Sequence, residues 1–266
     1  MSAVLVGLTE YPVKSCAGNA LETADVGALG FAHDRRWMLV DASGRFVTGR
    51  QAPTLVQVRA LLIAGGVRVC APGRPTLDIA QPSGEARLQT AVWGTAVDAA
   101  DAGDAAATWF SAWLGREVRL AYADPQMQRP LDPRYAQPQD RTAFADGYPL
   151  LLLSQSACRE LSERVGRPMD ARRFRPNLLI DGVPAHAEDQ WKRIRIGEIE
   201  FDVVKPCTRC VFTTIDPDLA TPDPAGEPLH TLKQYRRGAA GITFGQNLIP
   251  RGSGTLRLGE PLSVLE

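Results

Sequence analysis

The sequence has few histidines, no excess of either charge and no long apolar run, and each shortage excludes a class of protein. It contains three histidines, and its 30 lysines and arginines balance its 30 aspartates and glutamates. A balanced chain creates no net field that would attract a polyanion, so we expect no nucleic acid partner. The longest apolar run, residues 60–64, is far too short to cross a membrane, so we expect no membrane partner.

Cysteine and histidine are also placed in a way that disfavours disulfides and structural zinc. The five cysteines are an odd number, and residues 1–10 have no signal-peptide pattern. We therefore expect a reducing compartment and a cytoplasmic location. Cys16, Cys70 and Cys158 stand alone in the sequence, and no two histidines are close, whereas structural zinc needs four ligands, usually in paired clusters.

The hydrophobic pattern predicts an α+β fold that is mainly β. Apolar residues alternate in short runs, which predict strands at 3–8, 37–40, 55–63, 67–70, 118–121, 177–180, 194–204, 211–215 and 255–258. Three helices are predicted: one capped by Asp104 and ended by Gly115, one capped by Ser154 and ended by Gly166, and a short one over 228–235. Residues 124–149, with five prolines and no periodicity, are expected to form either a linker or a lid.

The segment Lys205-Pro-Cys-Thr-Arg-Cys210 is the sharpest chemical feature. A thiolate is a nucleophile and a soft metal ligand, and Lys205 and Arg209 would favour it over the thiol. Three other interpretations stay open at this point: two small buried hydrophobes in a strand, half of a zinc site, or an exchanging dithiol. A dithiol of the thioredoxin type needs a helix after the first cysteine, whereas residues 211–215 predict a strand.

A second feature is Phe174-Arg-Pro-Asn177, which enters a predicted strand. Arginine and asparagine suit recognition of a phosphate or a fused heterocycle, although a surface arginine and a turn asparagine are the commoner explanation of such a pair. Basic groups recur at strand ends in Tyr11-Pro-Val-Lys-Ser15 and His33-Asp-Arg-Arg36. The glycine-rich dinucleotide loop, the P-loop, His-Glu-x-x-His and Gly-x-Ser-x-Gly are all absent from the sequence.

Taken together, six ordered motifs resemble one family over most of the chain, the MOSC (molybdenum cofactor sulfurase C-terminal) proteins. The resemblance is to the subgroup with an N-terminal MOSC extension, which includes the mitochondrial amidoxime reducing component and its bacterial homologues. The motifs are Tyr11-Pro-Val-Lys-Ser-Cys-Ala-Gly18, Asp34-Arg-Arg-Trp37, Val47-Thr-Gly-Arg-Gln51, Phe174-Arg-Pro-Asn177, Cys207-Thr-Arg-Cys210 with Thr213-Thr-Ile-Asp-Pro217, and Phe244-Gly-Gln-Asn247.

The resemblance implies a fold, a cofactor and a set of site residues. It implies a β-rich MOSC N-terminal domain over 1–121, of which roughly residues 1–35 join the C-terminal barrel, and a MOSC β-barrel domain over 122–266. It implies the molybdenum cofactor, a metal held by molybdopterin, with Cys210 as the catalytic residue and metal ligand and Cys207 as its neighbour. Tyr148 stands where relatives carry small hydroxyl residues. The positions that fall at family cofactor contacts are Lys14, Ser15, Arg35, Tyr148, Arg175, Asn177, Thr208, Arg209 and Asn247.

The function implied by the resemblance is two-electron reduction of a small N-hydroxylated substrate. A ferredoxin-like domain fused in some bacterial relatives has no counterpart in the sequence, so we expect a separate electron donor, a flavoprotein reductase or an iron–sulfur or haem protein. The alternative is a carrier or insertion protein for the cofactor or for sulfur, which would use a Cys210 persulfide without substrate turnover. Pyridoxal phosphate binding is associated with the family only as a whole.

Overall fold

The computed structural model describes residues 3–266 and confirms a mainly β fold, with 39% strand and 17% helix. The helices are α1 (Asp104–Leu114), α2 (Gln155–Val165) and α3 (Leu229–Tyr235). The strands are β1 (Val4–Glu10), β2 (Asn19–Leu21), β3 (Thr23–Gly27), β4 (Gly30–Phe31), β5 (Trp37–Asp41), β6 (Arg59–Ile63), β7 (Gly66–Cys70), β8 (Leu77–Ala80), β9 (Arg87–Val92), β10 (Thr95–Asp101), β11 (Val118–Tyr122), β12 (Leu150–Ser154), β13 (Leu178–Asp181), β14 (Arg193–Ile196), β15 (Ile199–Thr208), β16 (Arg237–Gly238), β17 (Gly241–Pro250), β18 (Gly254–Arg257) and β19 (Leu262–Val264). None of the helices within 3–266 is long and apolar enough to cross a membrane.

The largest sheet curls into a half-barrel. Its strands follow the order β19-β14-β15-β17-β12-β13-β1-β2, with β16 on β17. The N-terminal and C-terminal strands of the sheet approach each other near β19. The N–H of Leu5 in β1 donates to Glu260 O at 2.9 Å, and the N–H of Gly259 donates to Leu5 O at 2.8 Å. Alternate residues of these strands are apolar and point into one core, which includes the fully buried Phe201 and Leu248.

The other strands form a smaller unit beside the barrel. A four-stranded sheet, β5-β11-β10-β9, and a three-stranded sheet, β6-β7-β8, pack with α1 around a core that includes Trp37, Leu120 and Phe110. A third small sheet, β18-β3-β4, joins a C-terminal strand to two N-terminal ones. The first strand, β1, pairs with β13 and so belongs to the barrel.

Most predicted elements are present, with three differences. Residues 53–57 form a 3₁₀ turn before β6 instead of extending the strand, because Pro53 begins it without a backbone donor. Asp104 is the first residue of α1 and not its cap; Gly103 takes the cap position, and Asp104 pairs with Arg119 at 2.8 Å. The predicted cap Ser154 is confirmed, since its side chain accepts from the N–H of Ala157.

The third difference concerns the segment after the cysteine pair. Residues 211–214 form a 3₁₀ turn, so the predicted strand at 211–215 is wrong. The hydroxyls of Thr213 and Thr214 donate to the carbonyls three residues earlier, at 3.0 and 2.8 Å. These local bonds close the turn and outweigh the strand propensity of β-branched residues.

Residues 124–149 form a packed connection between the two units. Their core member Arg129 is 6% exposed and donates to the carbonyls of Ala143 and Asp146 at 2.9 and 3.0 Å. Phe144 is fully buried in the smaller unit. The segment therefore resembles neither a loose linker nor an open lid, and it brings residues 145–148 to a cavity between the units.

Candidate functional site

A cavity of about 450 Å³ lies between the barrel and the smaller unit. Its walls come from turns after β1 and β4, from the hairpin between β9 and β10, from the end of the 124–149 connection, and from β15 and β17. The structure brings all ten predicted site residues to this one cavity, namely Lys14, Ser15, Arg35, Tyr148, Arg175, Asn177, Thr208, Arg209, Cys210 and Asn247. Residues from distant parts of the chain therefore share one chamber.

The strand pair β15–β17 explains how the cysteine segment reaches the cavity. The register between the two strands shifts twice, between Val203 and Lys205 and between Pro206 and Thr208. Bulges of this kind bend a strand and turn its side chains. The strand ends at Thr208, and Cys210 precedes the 3₁₀ turn, where its carbonyl accepts from the backbone N–H of Thr213 at 3.1 Å.

Positive charge dominates the cavity wall. Seven basic side chains and one acidic side chain, Asp146, line it. Within 3–266, three of the seven have carboxylate partners: Lys14 with Asp146, Arg35 with Asp34, and Arg173 with Asp216. The four others, which have none among the described residues, are Arg50, Arg175, Lys205 and Arg209. The surplus favours an anionic ligand.

Asn177 organises one side of the cavity. Its side-chain oxygen accepts from Arg35 Nη1 at 2.9 Å and from the N–H of Leu151 at 3.2 Å, and its nitrogen donates to Thr9 O and Asp34 Oδ1 at 3.1 and 3.0 Å. Both ends of its amide are thus bonded to protein groups. In this structure Asn177 holds Arg35 in place.

Arg175 is a buried guanidinium that lacks a full set of partners. Its Nη1 donates to Cys16 O at 2.6 Å, but its Nη2 is buried without a hydrogen-bond partner among the described residues. Burial, with the like charge of Arg35, lowers the pKa of Arg175 to about 10. The carbon of each guanidinium lies close to the Tyr11 ring, at 4.1 Å for Arg175 and 4.3 Å for Arg35.

Backbone strain is concentrated at the same cavity. Within the described chain, six residues other than glycine have positive φ, and four of them line the cavity: Ser15, Arg35, Trp93 and Arg175. This conformation costs free energy for a residue with a Cβ, and it persists where the surroundings impose it. Such strain commonly marks binding sites.

The two cysteines of the pair differ in exposure. Cys210 is exposed at the cavity, and Cys207 is partly buried. Burial raises the pKa of the Cys207 thiol, although Arg209 opposes this shift. Arg209 itself is fixed by the carbonyls of Phe244 and Phe174, at 2.8 and 3.0 Å. Cys210 is therefore the thiol that a ligand in the cavity can reach.

The remaining predicted residues are held by protein contacts. Lys14 donates to Phe144 O at 2.7 Å and pairs with Asp146, and burial lowers its pKa against the effect of that carboxylate. Tyr148 is 9% exposed, and burial raises its pKa to about 12. The amide nitrogen of Asn247 donates to Lys205 O at 3.1 Å across the β15–β17 pair.

Sequence reasoning missed several cavity residues. Those with side chains of chemical interest are Thr48, Arg50, Trp93, Asp146, Arg173 and Phe212. Two of them lie in the motif Val47-Thr-Gly-Arg-Gln51, so a signal existed for Thr48 and Arg50. Trp93-Gly94 is a turn signal that a hairpin prediction could have used.

Comparison with known proteins connects this fold to a family. A model of the MOSC N-terminal beta barrel domain matches residues 2–117, and a model of the MOSC domain matches residues 139–263. Mitochondrial amidoxime-reducing component 1 of Mus musculus is 35% identical over 275 residues, covering 96% of this chain and 80% of the mouse protein. The Homo sapiens protein of that name is 34% identical, covering 96% of this chain and 81% of its own length.

Among solved structures, the YUAD protein from Bacillus subtilis aligns with 98% of this chain and 94% of its own, at 12% identity and a TM-score of 0.45. The two domain matches and the two sequence relatives confirm the resemblance inferred from the motifs. The chain belongs to the MOSC family, in the subgroup that carries the MOSC N-terminal beta barrel domain.

Proposed function

We propose that this chain is a molybdenum-cofactor-binding oxidoreductase that reduces small N-hydroxylated compounds with electrons from a separate protein. One observation carries the proposal: ten residues, nine of them chosen from sequence motifs, line a single cavity that combines surplus positive charge with an exposed thiol, Cys210. The names of the mouse and human relatives describe amidoxime reduction, which supports the same class of substrate.

The residues of the cavity fit a phosphorylated pterin that carries a metal. Arg175 Nη2 is a buried donor without a partner among residues 3–266, and an anion bound in the cavity would accept its hydrogen bond. Arg209, which donates to the carbonyls of Phe244 and Phe174, contributes a second guanidinium that has no carboxylate partner in the described part of the chain. The exposed thiol of Cys210 offers a soft ligand in the same chamber. Charge and donor type therefore agree with the group independently of family membership.

Each residue then has a role that its contacts support. Arg175 and Arg209 would bind the anionic part of the cofactor, and Lys14 and Arg35, each paired with an aspartate, would be held to contact it in fixed positions. Cys210 would hold the metal as a thiolate. When bound, the cofactor supplies two-electron redox chemistry that amino acid side chains lack.

The cavity walls limit how a substrate approaches. Phe174 and Phe212 line the cavity together with Cys210, and Tyr148 lines it from the 124–149 connection. Phe174 is fully buried against Phe244, with ring centroids 4.4 Å apart, so this wall is rigid. We propose that these aromatic side chains keep bulk water from the metal end of the cavity.

The test is the molybdenum content of the chain, measured by elemental mass spectrometry after expression in a host that makes the cofactor. We expect near-stoichiometric metal in the wild type, loss of most of it in Cys210→Ala, and retention in Cys207→Ala, the matched control three residues away. N-hydroxylamine reduction with an artificial electron donor should follow the metal content across the three proteins.

Other outcomes separate the alternatives. Metal retained in Cys210→Ala would refute the assigned ligand. An absence of both molybdenum and pterin from the wild type would refute the enzyme proposal. A mass increase of one sulfur atom on Cys210 in that metal-free protein would instead support the sulfur carrier.

A further inference from the structure

A tryptophan at the edge of the cavity has no role in the proposed cofactor site. Trp93 follows β9 and begins the tight turn to β10, and it lines the cavity although half of its surface, 50%, is exposed. Its φ of 51° is in the left-handed region, which a bulky residue adopts only under constraint. An aromatic ring held in this way at a cavity mouth suggests a contact surface for a ligand.

Three other segments of the chain fix the Trp93 ring. Its indole Nε1–H donates to Asp146 Oδ1 at 3.1 Å, and Phe46 meets it edge-on with centroids 5.1 Å apart. Arg50 places its guanidinium carbon 4.6 Å from the ring centroid. Asp146 is paired with Lys14, so it leaves little free negative charge beside the ring. The position is rigid and its surroundings are cationic.

Arg50 is an exposed cation without a carboxylate partner among the described residues. Its loop is rigid, because the backbone N–H groups of Gln51 and Ala52 both donate to Thr48 O at 3.0 Å. The preceding residue, Gly49, is pressed against the Phe212 ring so closely that a Cβ there would lie 2.2 Å from it. Phe212 is two residues after Cys210, so the loop of Arg50 lies next to the cysteine segment.

We propose that Trp93 and Arg50 form a substrate-recognition rim that selects planar N-hydroxylated compounds with a negatively charged substituent. The planar head would stack on the Trp93–Arg50 pair while its N-hydroxyl group faces the Cys210 end of the cavity, and Arg50 would pair with the substituent. The inference rests on the proposed function only in assuming that the substrate carries an N-hydroxyl group. The rim itself is a binding surface that can be measured without turnover.

The experiment uses the molybdenum-loaded protein without an electron donor, so that ligands bind and are not reduced. Dissociation constants are measured by calorimetry for 4-carboxybenzamidoxime, benzamidoxime and acetamidoxime. We expect the wild type to bind them in that order of decreasing affinity, with about a 5- to 10-fold step between neighbours, as expected for one partly exposed charged contact and one stacking contact.

The variants assign each step to one side chain. Arg50→Met should bind 4-carboxybenzamidoxime no more tightly than benzamidoxime, and it should still bind benzamidoxime more tightly than acetamidoxime. Trp93→Ala should lose the preference for benzamidoxime over acetamidoxime. Trp93→Phe should retain most of it, which controls for disruption of the hairpin. Molybdenum content and melting temperature of each variant are measured alongside, so that a damaged site is recognised.

The proposed recognition rim would be refuted if the wild type bound the three ligands with equal affinity, or if the variants kept both preferences. Loss of molybdenum in Arg50→Met or in Trp93→Ala would also refute it, since the replaced side chain would then serve the cofactor. Preferences as expected, together with no reduction when an electron donor is added, would refute the proposed function and leave the rim standing.

Discussion

Because the guanidinium of Arg175 is buried without a carboxylate partner among residues 3–266, we predict that replacing it does not destabilise the protein. Arg173 and Arg175 both line the cavity, but Arg173 pairs with Asp216 at 2.8 Å and donates to Thr214 O at 2.8 Å, whereas Arg175 has no carboxylate partner within 3–266. We expect Arg173→Met to destabilise the cofactor-free protein and Arg175→Met to stabilise it or leave it unchanged. Two neighbouring arginines thus make matched variants.

The magnitude follows from the cost of burying an unpaired charge. The pKa of Arg175 is lowered to about 10, mainly by burial. At pH 7 the group is charged in both the folded and the unfolded chain, so the full cost, about 3 kcal/mol, acts against folding. Methionine removes that cost but loses the bond to Cys16 O and the contact with Tyr11, each about 1 kcal/mol. The net expectation is a gain of about 1 kcal/mol.

Arg173→Met should act in the opposite direction. Its guanidinium is 5% exposed, and its removal takes one donor from Asp216 and one from Thr214 O, although the backbone N–H groups of Asp218, Leu219 and Asp223 still donate to these acceptors. We expect a loss of about 2–3 kcal/mol, as is typical for the loss of two hydrogen bonds made by a charged group. The two variants should therefore differ by about 3–4 kcal/mol in free energy of unfolding, a difference well outside the error of urea denaturation.

The assay is urea denaturation of metal-free protein at pH 7, with and without inorganic phosphate. Phosphate should stabilise the wild type, because an anion that binds only the folded state shifts the equilibrium, and it should not stabilise Arg175→Met. If Arg175→Met loses as much stability as Arg173→Met, the reasoning is refuted: Arg175 would be a satisfied structural residue and not a group that awaits an anion.

Two further predictions concern a buried acid and a close glycine contact. Burial raises the pKa of Glu10 to about 7, above that of the unfolded chain, so its contribution to stability should disappear as pH rises from about 4.5 to 7, by about 3 kcal/mol. Glu10→Gln should remove this part of the pH dependence; urea midpoints at pH 5 and 8 measure it, and an unchanged pH profile would contradict it. Gly49→Ala should displace Phe212 and lower molybdenum retention, whereas Gly252→Ala, where a Cβ meets nothing within 4 Å, should not. Equal retention in both alanine variants would contradict the close packing.

The sequence by itself determined the class of fold, and its motifs pointed to part of the residues that line the cavity. Strand alternation is a local pattern, so β1, β5, β7 and β11 could be predicted from it. Helix signals are local too, and Ser154 caps α2 as expected. Nine of the ten site residues came from motifs, because each motif keeps its residue types together, whatever the rest of the chain does.

Where local signals compete, only tertiary structure decided the outcome. Residues 211–215 have strand-forming side chains, yet the threonine hydroxyls bond to the preceding carbonyls and close a 3₁₀ turn beside Phe212 and Gly49. Residues 96–101 are rich in alanine and gave no strand signal; pairing with β9 makes them part of β10.

Tertiary structure alone also decided which charges remain unpaired. The sequence cannot show that Arg173 meets Asp216 while Arg175 meets no carboxylate within 3–266, because partners 43 residues apart come together only when the 3₁₀ turn at 171–174 packs against the loop of Asp216. It likewise cannot show that Trp93 reaches Asp146, 53 residues later in the chain. Composition determines how many charges a protein has, and folding determines which of them are left to bind something else.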